Sequence, residues 1–411
     1  EFKVGPDKNT MLCCHASKPL LSKSNRPYSI DKFSLDEIWN SEGMRNIRKK
    51  MLLGEKIDAC SYCYYQSHIG GISKRESFNN IWLNSSFETE IIRRILKSKN
   101  NNYLVNSPPL YLDISPGNLC NLKCRMCNPT SSSFLYQEQK ELLSEKKLDS
   151  IGENELLNQE RAIYNWHHSS KIWDVIYKWS PKVKALHFKG GEPTLIKKNW
   201  ELIDFFQRKG HSKTVSLTFN INGTYVPEKL LNTFENFAYV HIVFSVDGYK
   251  DIQEYIRYPS KWNIIEKNII KTLEKVKKKK NVRISFSHVV QVYNILYLTQ
   301  FLQWVDSLRK KYGKIHSDLL LCTSPGFLDI SILPQNVRDL CLENIDTYQK
   351  NHDEKKLTSI KNILCSIRKE DSSFQLKKFF EYTSLLDKKR GNNFKKSLPE
   401  LYESLNSNKP N

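Results

Sequence analysis

Apolar runs and amphipathic segments alternate along the chain from residue 109 onward. The apolar runs predict six strands, at 109–114, 183–188, 215–219, 240–245, 283–287 and 319–322. Apolar residues at three- and four-residue spacing predict the helices between them, at 134–147, 171–179, 196–208, 227–236, 261–278 and 296–309. Strands that alternate with helices form parallel sheets, so the pattern predicts an α/β fold, a TIM-like (β/α)6 partial barrel. Polar residues 148–166 are predicted to be a surface insertion.

The segments on either side of this predicted barrel have patterns of their own. Residues 1–4 and 10–12 predict a hairpin, and a helix up to Met51 follows, with Ser34 and Glu37 as its capping box. Amphipathic helices are expected at 335–349, 372–388 and 397–405. We therefore predict a small cysteine-bearing module at 1–80, a basic linker at 81–108, the barrel at 109–329 and a helical extension at 330–411.

Charge and length limit the classes of partner. The chain has 411 residues and a formal charge of +20. Lys and Asn are abundant throughout, and the densest run, Lys277–Lys280, closes a predicted helix without interleaved aromatic residues. A nucleic-acid partner is therefore open but not favoured. There is no apolar run long enough for a membrane span and no signal-peptide pattern, so we expect a cytoplasmic protein without a membrane partner. The chain begins at Glu1 rather than Met, which leaves open that it is trimmed upstream.

Three cysteines stand in C-x3-C-x2-C spacing directly after the first predicted strand. They are Cys120, Cys124 and Cys127. Thiolates are the usual ligands of iron–sulfur clusters, and three thiolates leave the fourth iron of a cubane open for a substrate. The alternatives are a zinc site and three buried thiols. A structural zinc ion usually takes four protein ligands, and no further His or Cys stands close by in the sequence.

This loop resembles the cluster loop of the radical SAM enzymes. In that family a [4Fe-4S] cluster chelates S-adenosylmethionine through its open iron. The resemblance implies that the three cysteines bind the cluster and that Met126 replaces a bulky side chain that usually packs near the adenine. It also implies reductive cleavage to methionine and a 5′-deoxyadenosyl radical, which takes hydrogen from a substrate. An electron donor such as flavodoxin or ferredoxin would then be a partner.

Further residues at the ends of later strands match the same family. The run from Lys189 through Gly190, Gly191, Glu192 and Pro193 resembles the motif whose backbone and glutamate hold the methionyl amine. Ser245 and Asp247 resemble the ribose-contacting strand, and Arg257 resembles the arginine near the methionyl carboxylate. Asn222 and Asn294 also match family positions. Ordinary glycine and asparagine turns and a surface ion pair are the alternative interpretations.

A second set of cysteines lies near the start of the chain. Cys13, Cys14, Cys60 and Cys63 are compatible with zinc or with a further iron–sulfur cluster. The sequence of residues 34–64 resembles the SPASM and twitch-type auxiliary-cluster modules, and the resemblance covers most of residues 9–80. It implies a second cluster. Those modules usually have another cysteine before the hairpin, and they usually follow the barrel, whereas here the module comes first. The missing cysteine was cut away with the start of the chain, is replaced by Cys14, or leaves the site incomplete; these three explanations stay open. Cys322, at the end of the last strand, is a minor candidate for a further role.

The resemblance also sets the expected substrate class. Relatives with such modules mostly modify ribosomally made peptides or proteins, so a peptide or protein substrate is our leading hypothesis, by analogy. RNA, a nucleotide or a small metabolite is the alternative substrate. A non-catalytic binding protein, in which both cysteine groups are structural, is the alternative of another class.

Overall fold

The structure, a computed structural model, describes residues 1–144, 160–161, 163–313, 315–352, 354, 356–366 and 372–407. Its strands are β1 (Phe2–Val4), β2 (Thr10–Met11), β3 (Tyr111–Ile114), β4 (Ala185–Phe188), β5 (Ser216–Ile221), β6 (Tyr239–Ser245), β7 (Val282–Val290) and β8 (His316–Leu321). They form one sheet in the order β2-β1-β3-β4-β5-β6-β7-β8. Within the described residues the sheet is open at β2 and β8, which confirms the predicted α/β partial barrel.

Helices connect and follow these strands. Those before β4 are α1 (Leu35–Trp39), α2 (Glu42–Leu52), α3 (Ser61–His68), α4 (Lys74–Leu83), α5 (Glu88–Lys99), α6 (Leu135–Ser144) and α7 (Ser170–Trp179). Those between β4 and β8 are α8 (Lys197–Arg208), α9 (Glu228–Asn232), α10 (Asp251–Ile256), α11 (Trp262–Val276) and α12 (Leu298–Tyr312). The last ones are α13 (Gln335–Gln349), α14 (Leu357–Cys365), α15 (Ser372–Arg390), α16 (Phe394–Ser397) and α17 (Pro399–Asn406).

Most of the predicted elements are confirmed, and two predictions need correction. The capping box of Ser34 and Glu37 is present, but the helix it begins ends at Trp39. Ser41 then caps a separate helix, because its side chain accepts a hydrogen bond from the Met44 N–H. Sequence periodicity also missed four helices, α3, α4, α10 and α14. The end of the helix predicted at 134–147, and most of the insertion predicted at 148–166, lie outside the described residues.

The N-terminal hairpin is part of the main sheet. β1 pairs antiparallel with β2, as predicted, and pairs parallel with β3, which the sequence did not suggest. One face of these strands is apolar: Phe2 is fully buried, and its ring meets the Trp39 and Trp179 rings edge-on at 5.7 and 6.0 Å. Aromatic packing between β1, α1 and α7 therefore holds the hairpin in the sheet.

The chain divides into two compact units. The first comprises residues 1–120, 157–219 and 233–240, and the second comprises 121–156, 220–232 and 241–411. In the second unit, Phe286 of β7 packs against Phe301 and Trp304 of α12. No helix among the described residues is long and apolar enough to cross a membrane.

Candidate functional site

The three cysteines of the C-x3-C-x2-C motif lie in the segment that follows β3, residues 115–127, called the cysteine loop below. Cys120 and Cys124 are buried, and Cys127 is half-buried. The chain passes from the first unit to the second between Cys120 and Asn121. The leading half of the loop, residues 115–120, therefore belongs to the first unit, and the trailing half, residues 121–127, belongs to the second.

Two glycines after β4 pack directly on the leading half. Gly190 and Gly191 have φ angles of +83° and +57°, which favour glycine. A Cβ atom at Gly190 would stand 2.6 Å from the Ser115 Cβ, and one at Gly191 would stand 2.2 Å from the Leu119 carbonyl oxygen. Glycine is therefore required at both positions because two backbone segments of the protein approach each other closely there.

Glu192 ties the same turn to the loop. Its backbone N–H donates to the Leu119 carbonyl at 2.7 Å. Its carboxylate is buried and accepts from the Thr194 hydroxyl at 2.6 Å and the Thr194 N–H at 3.2 Å, and Pro193 begins the short 3-10 turn that this contact caps. The Oε1 atom of the carboxylate thus accepts the hydrogen bonds that cap the turn.

The leading half also contacts residues 163–168, which the sequence did not suggest. The Trp166 indole N–H lies 3.1 Å from the Ser115 carbonyl and 2.9 Å from the Gly5 carbonyl. His167 N–H donates to the Pro116 carbonyl at 3.2 Å. No motif marks this segment, since its partners are backbone carbonyls.

In the second unit an amide network holds the first residue of the trailing half. The Asn222 side chain donates to the Asn121 side-chain oxygen at 2.8 Å. The Asn222 oxygen accepts from the Thr224 N–H and hydroxyl at 2.9 and 2.7 Å, and Asn121 donates to the Thr224 hydroxyl at 2.9 Å. Asn222 thus forms the turn of the alternative interpretation and also binds the cysteine loop, a contact that the sequence did not suggest.

Arg257 lies beside Cys124 in the second unit. Lys123 N–H donates to the Tyr258 carbonyl at 2.6 Å, and Arg125 N–H donates to the Ile256 carbonyl at 2.9 Å. These two hydrogen bonds hold the loop next to residues 256–258. The Arg257 Nη1 atom is consequently 3.8 Å from the Cys124 Sγ atom.

Asp247 fixes the orientation of Arg257. Its fully buried carboxylate accepts from the Arg257 Nε at 2.6 Å and from the Val289 N–H at 2.7 Å. Both carboxylate oxygens therefore contact protein donors, which favours a role for Asp247 in orienting the arginine. Ser245, the last residue of β6, and Met126 are each half-buried.

The charges around Cys124 favour its thiolate. The hydrogen bond with Cys127 lowers the pKa of Cys124, burial opposes this, and the Arg257 guanidinium lowers it further. Burial by itself lowers the pKa of Arg257, but the Asp247 carboxylate and then the Cys124 and Cys127 thiols together outweigh burial and raise the pKa. A cation beside a thiolate is suited to an anionic cluster ligand, and so the donor set of the loop fits an iron–sulfur cluster.

The N-terminal cysteines have different surroundings. Cys60 and Cys63 lie at the start of α3, and burial raises the pKa of Cys60. Burial, followed by the Glu1 carboxylate, raises the pKa of Cys13 to about 12. The Cys14 thiol contacts the Lys74 ammonium, and its backbone N–H donates to Glu1 at 3.2 Å.

One group of side chains with metal-binding chemistry includes Cys14. Among the described residues, the Glu1, Cys14 and Asp113 side chains are the one trio whose ligand atoms lie close enough to share an ion. The ammonium groups of Lys74 and Lys189 already neutralise this trio, at 3.1 Å from Glu1 and 2.8 Å from Asp113. An iron–sulfur cluster at the four cysteines stays a prediction.

One family model matches the central part of the chain. Residues 114–305 match the model of the Radical SAM superfamily, and no curated protein is similar enough in sequence to count as a relative. This stretch includes the cysteine loop and every residue discussed above for the second unit up to Val289. Residues 114–305, slightly less than half of the chain, are therefore similar to radical SAM domains.

Solved structures with a similar fold are distant. A structure of native anSMEcpe with bound AdoMet is 20% identical, with a TM-score of 0.38; the match covers 58% of this chain and 60% of that one. Streptococcus suis SuiB bound to the precursor peptide SuiA is 14% identical, with a TM-score of 0.36, and covers 85% and 68%. The match thus covers about three fifths of anSMEcpe.

Proposed function

We propose that this protein is a radical SAM enzyme that cleaves S-adenosylmethionine reductively and removes a hydrogen atom from its substrate. The observation that carries the proposal is the cysteine loop, which follows β3 inside the matched domain and has a buried cation beside Cys124. Chemistry at the carboxyl ends of parallel strands is typical of this kind of fold.

Each residue has a defined role in this proposal. Cys120, Cys124 and Cys127 would hold the [4Fe-4S] cluster, which supplies the electron that splits the sulfonium bond of S-adenosylmethionine. Asp247 orients Arg257, whose charge offsets that of the thiolates. Glu192, Gly190 and Gly191 would present the turn after β4 to the methionyl amine. Met126, Ser245 and Asn222 would complete the binding site.

Loss of one cluster ligand tests the activity. Cys124→Ala in anaerobically reconstituted protein should abolish the formation of 5′-deoxyadenosine under reduction with dithionite. Cys341→Ala, which removes a buried thiol of α13, is the matched control and should keep the activity of the wild type. Undiminished 5′-deoxyadenosine formation by Cys124→Ala would refute the cluster assignment.

Two substitutions separate the proposed roles of Glu192. Glu192→Gln keeps an oxygen that accepts from Thr194, whereas Glu192→Ala removes the cap and the charge together. If the carboxylate binds the methionyl amine, both variants weaken S-adenosylmethionine binding and retain their iron. An effect confined to Glu192→Ala would instead assign Glu192 to the turn alone.

The proposed auxiliary cluster is tested by counting metals. The triple variant Cys120/Cys124/Cys127→Ala removes the ligands of the cysteine loop. Retention of about four irons per chain, with Mössbauer parameters of a cubane, would support a second cluster on Cys13, Cys14, Cys60 and Cys63. Zinc, or no metal, would make this group structural.

A peptide or protein is the substrate class that we propose. Support comes from the resemblance of residues 9–80 to auxiliary-cluster modules, whose bearers mostly modify ribosomal peptides. The alternative, modification of RNA, is motivated by the formal charge of +20. RNA binding that weakens steeply with salt and stimulates 5′-deoxyadenosine formation would favour the alternative.

A further inference from the structure

Arg125 is a buried charge inside the cysteine loop, between Cys124 and Met126. Its side chain is fully buried, and a buried guanidinium is costly unless its partners are well arranged. Its Nε donates to the Tyr255 carbonyl at 3.0 Å, and the guanidinium carbon lies 3.7 Å from the centre of the Tyr255 ring. The loop therefore carries a side chain that needs a specific counterion.

Helix α15 supplies that counterion, from 262 residues further along the chain. Asp387 forms an ion pair with Arg125 and accepts a hydrogen bond from the Tyr255 hydroxyl at 2.9 Å. Tyr382, on the same helix, donates its hydroxyl to the Arg125 carbonyl at 2.7 Å. Both the side chain and the backbone of Arg125 are thus held by one helix.

A second buried ion pair fixes the position of the C-terminal end of α15. Arg390 binds Glu138 of α6 with two of its nitrogens, at 2.5 and 3.1 Å, and both side chains are buried. Lys123 of the cysteine loop is 3.8 Å from the same Glu138 carboxylate. The helix is therefore tied to the loop on both sides of Cys124.

We propose that α15 is a positioning element for the trailing half of the cysteine loop, and that Asp387 and Tyr382 are its positioning residues. The proposal rests on the proposed function. Cys124 lies directly before Arg125, so a displacement of Arg125 displaces a cluster ligand. Partners that orient the ligands of a metal tune its reactivity without touching it.

The test compares Asp387→Asn with Glu381→Gln in the full chain with reconstituted cluster. Both substitutions neutralise one carboxylate of α15, but Glu381 is exposed and 4.0 Å from Lys377. Three measurements are made: iron content, the electron paramagnetic resonance spectrum of the reduced cluster before and after addition of S-adenosylmethionine, and the rate of 5′-deoxyadenosine formation. Asp387→Asn should change the spectrum and lower the rate by about 10- to 100-fold. Glu381→Gln should match the wild type.

The outcomes are separable from those of the proposed function. A wild-type protein that makes no 5′-deoxyadenosine contradicts the proposed function. An active wild type, with an Asp387→Asn variant that melts earlier but keeps its spectrum and rate, makes α15 merely structural and overturns the inference. Should Asp387→Asn fail to fold, Tyr382→Phe decides: loss of one hydroxyl contact should lower the rate by about 2- to 10-fold with an altered spectrum, and unchanged values overturn the inference.

Discussion

The two halves of the cysteine loop are held by different kinds of interaction. The leading half meets the backbone of Gly190 and Gly191, where no side chain fits. The trailing half is held by buried charges, Arg257 with Asp247 and Arg125 with Asp387. The leading half therefore requires glycine, which has no side chain, at two positions. The trailing half requires both charged groups of each ion pair.

This difference predicts different responses to substitution. Close backbone packing tolerates no added carbon, whatever its polarity, because the neighbouring carbonyl is not free to move away. A buried ion pair loses most when one partner is removed, and removal of both partners recovers part of the loss. Glycine substitutions and charge substitutions therefore test the two halves separately.

The largest effect is expected at Gly191. Gly191→Ala places a carbon 2.2 Å from the Leu119 carbonyl oxygen at a φ of +57°, so either the turn or the loop must shift. We expect a loss of about 4 kcal/mol from the free energy of unfolding and no 5′-deoxyadenosine formation. Gly210→Ala is the control, because Gly210 has a φ of +71° with nothing within 4 Å; it should cost about 1 kcal/mol. Equal urea midpoints for the two variants would show that close packing does not hold the leading half.

Removal of Arg257 should have the next largest effect. Arg257→Met leaves the Asp247 carboxylate buried with the Val289 N–H but without its cation, at a cost of about 3 kcal/mol. The double variant Arg257→Met/Asp247→Asn should be more stable than Arg257→Met. Urea unfolding of these two variants and of the single variant Asp247→Asn measures the coupling. Strictly additive losses would mean that the two charges do not interact.

A pH titration examines the second unit. His288 is fully buried beside the Val246 carbonyl, and burial lowers its pKa to about 4. The unfolded chain takes up this proton near pH 6.5, so the stabilisation is complete above that pH and is lost as the pH falls towards 4. We expect His288→Gln to reduce the decline in unfolding free energy between pH 6.5 and 4 by about 2 kcal/mol. An unchanged slope in urea titrations would contradict a neutral buried imidazole.

The smallest effect is expected in the amide network around Asn222. Asn222→Ala removes the donor to Asn121 and the acceptor of Thr224, and should cost about 1 kcal/mol. Asn222→Asp keeps the acceptor and should cost less if Thr224 is the more important partner. If Asn222→Asp is less stable than Asn222→Ala in urea unfolding, the hydrogen bond from Asn222 to Asn121 of the loop is more important than the bonds to Thr224.

Local patterns in the sequence predicted the fold class and marked the candidate residues of the site. All six barrel strands lie where apolar runs predicted them, because burial between helices requires apolar residues at those positions. The cysteine spacing and the two glycines were also visible, since each motif lies within a few consecutive residues. Asn222 was found in the same way, at the end of a strand.

The tertiary structure alone decided which distant residues meet. The parallel pairing of β1 with β3 joins segments about a hundred residues apart, and no periodicity encodes such a partner. Arg125 and Asp387 looked like ordinary charged positions of a basic chain and of an amphipathic helix. They become important because they are buried together: a charge that costs little in water constrains the structure once the fold fixes the position of its counterion.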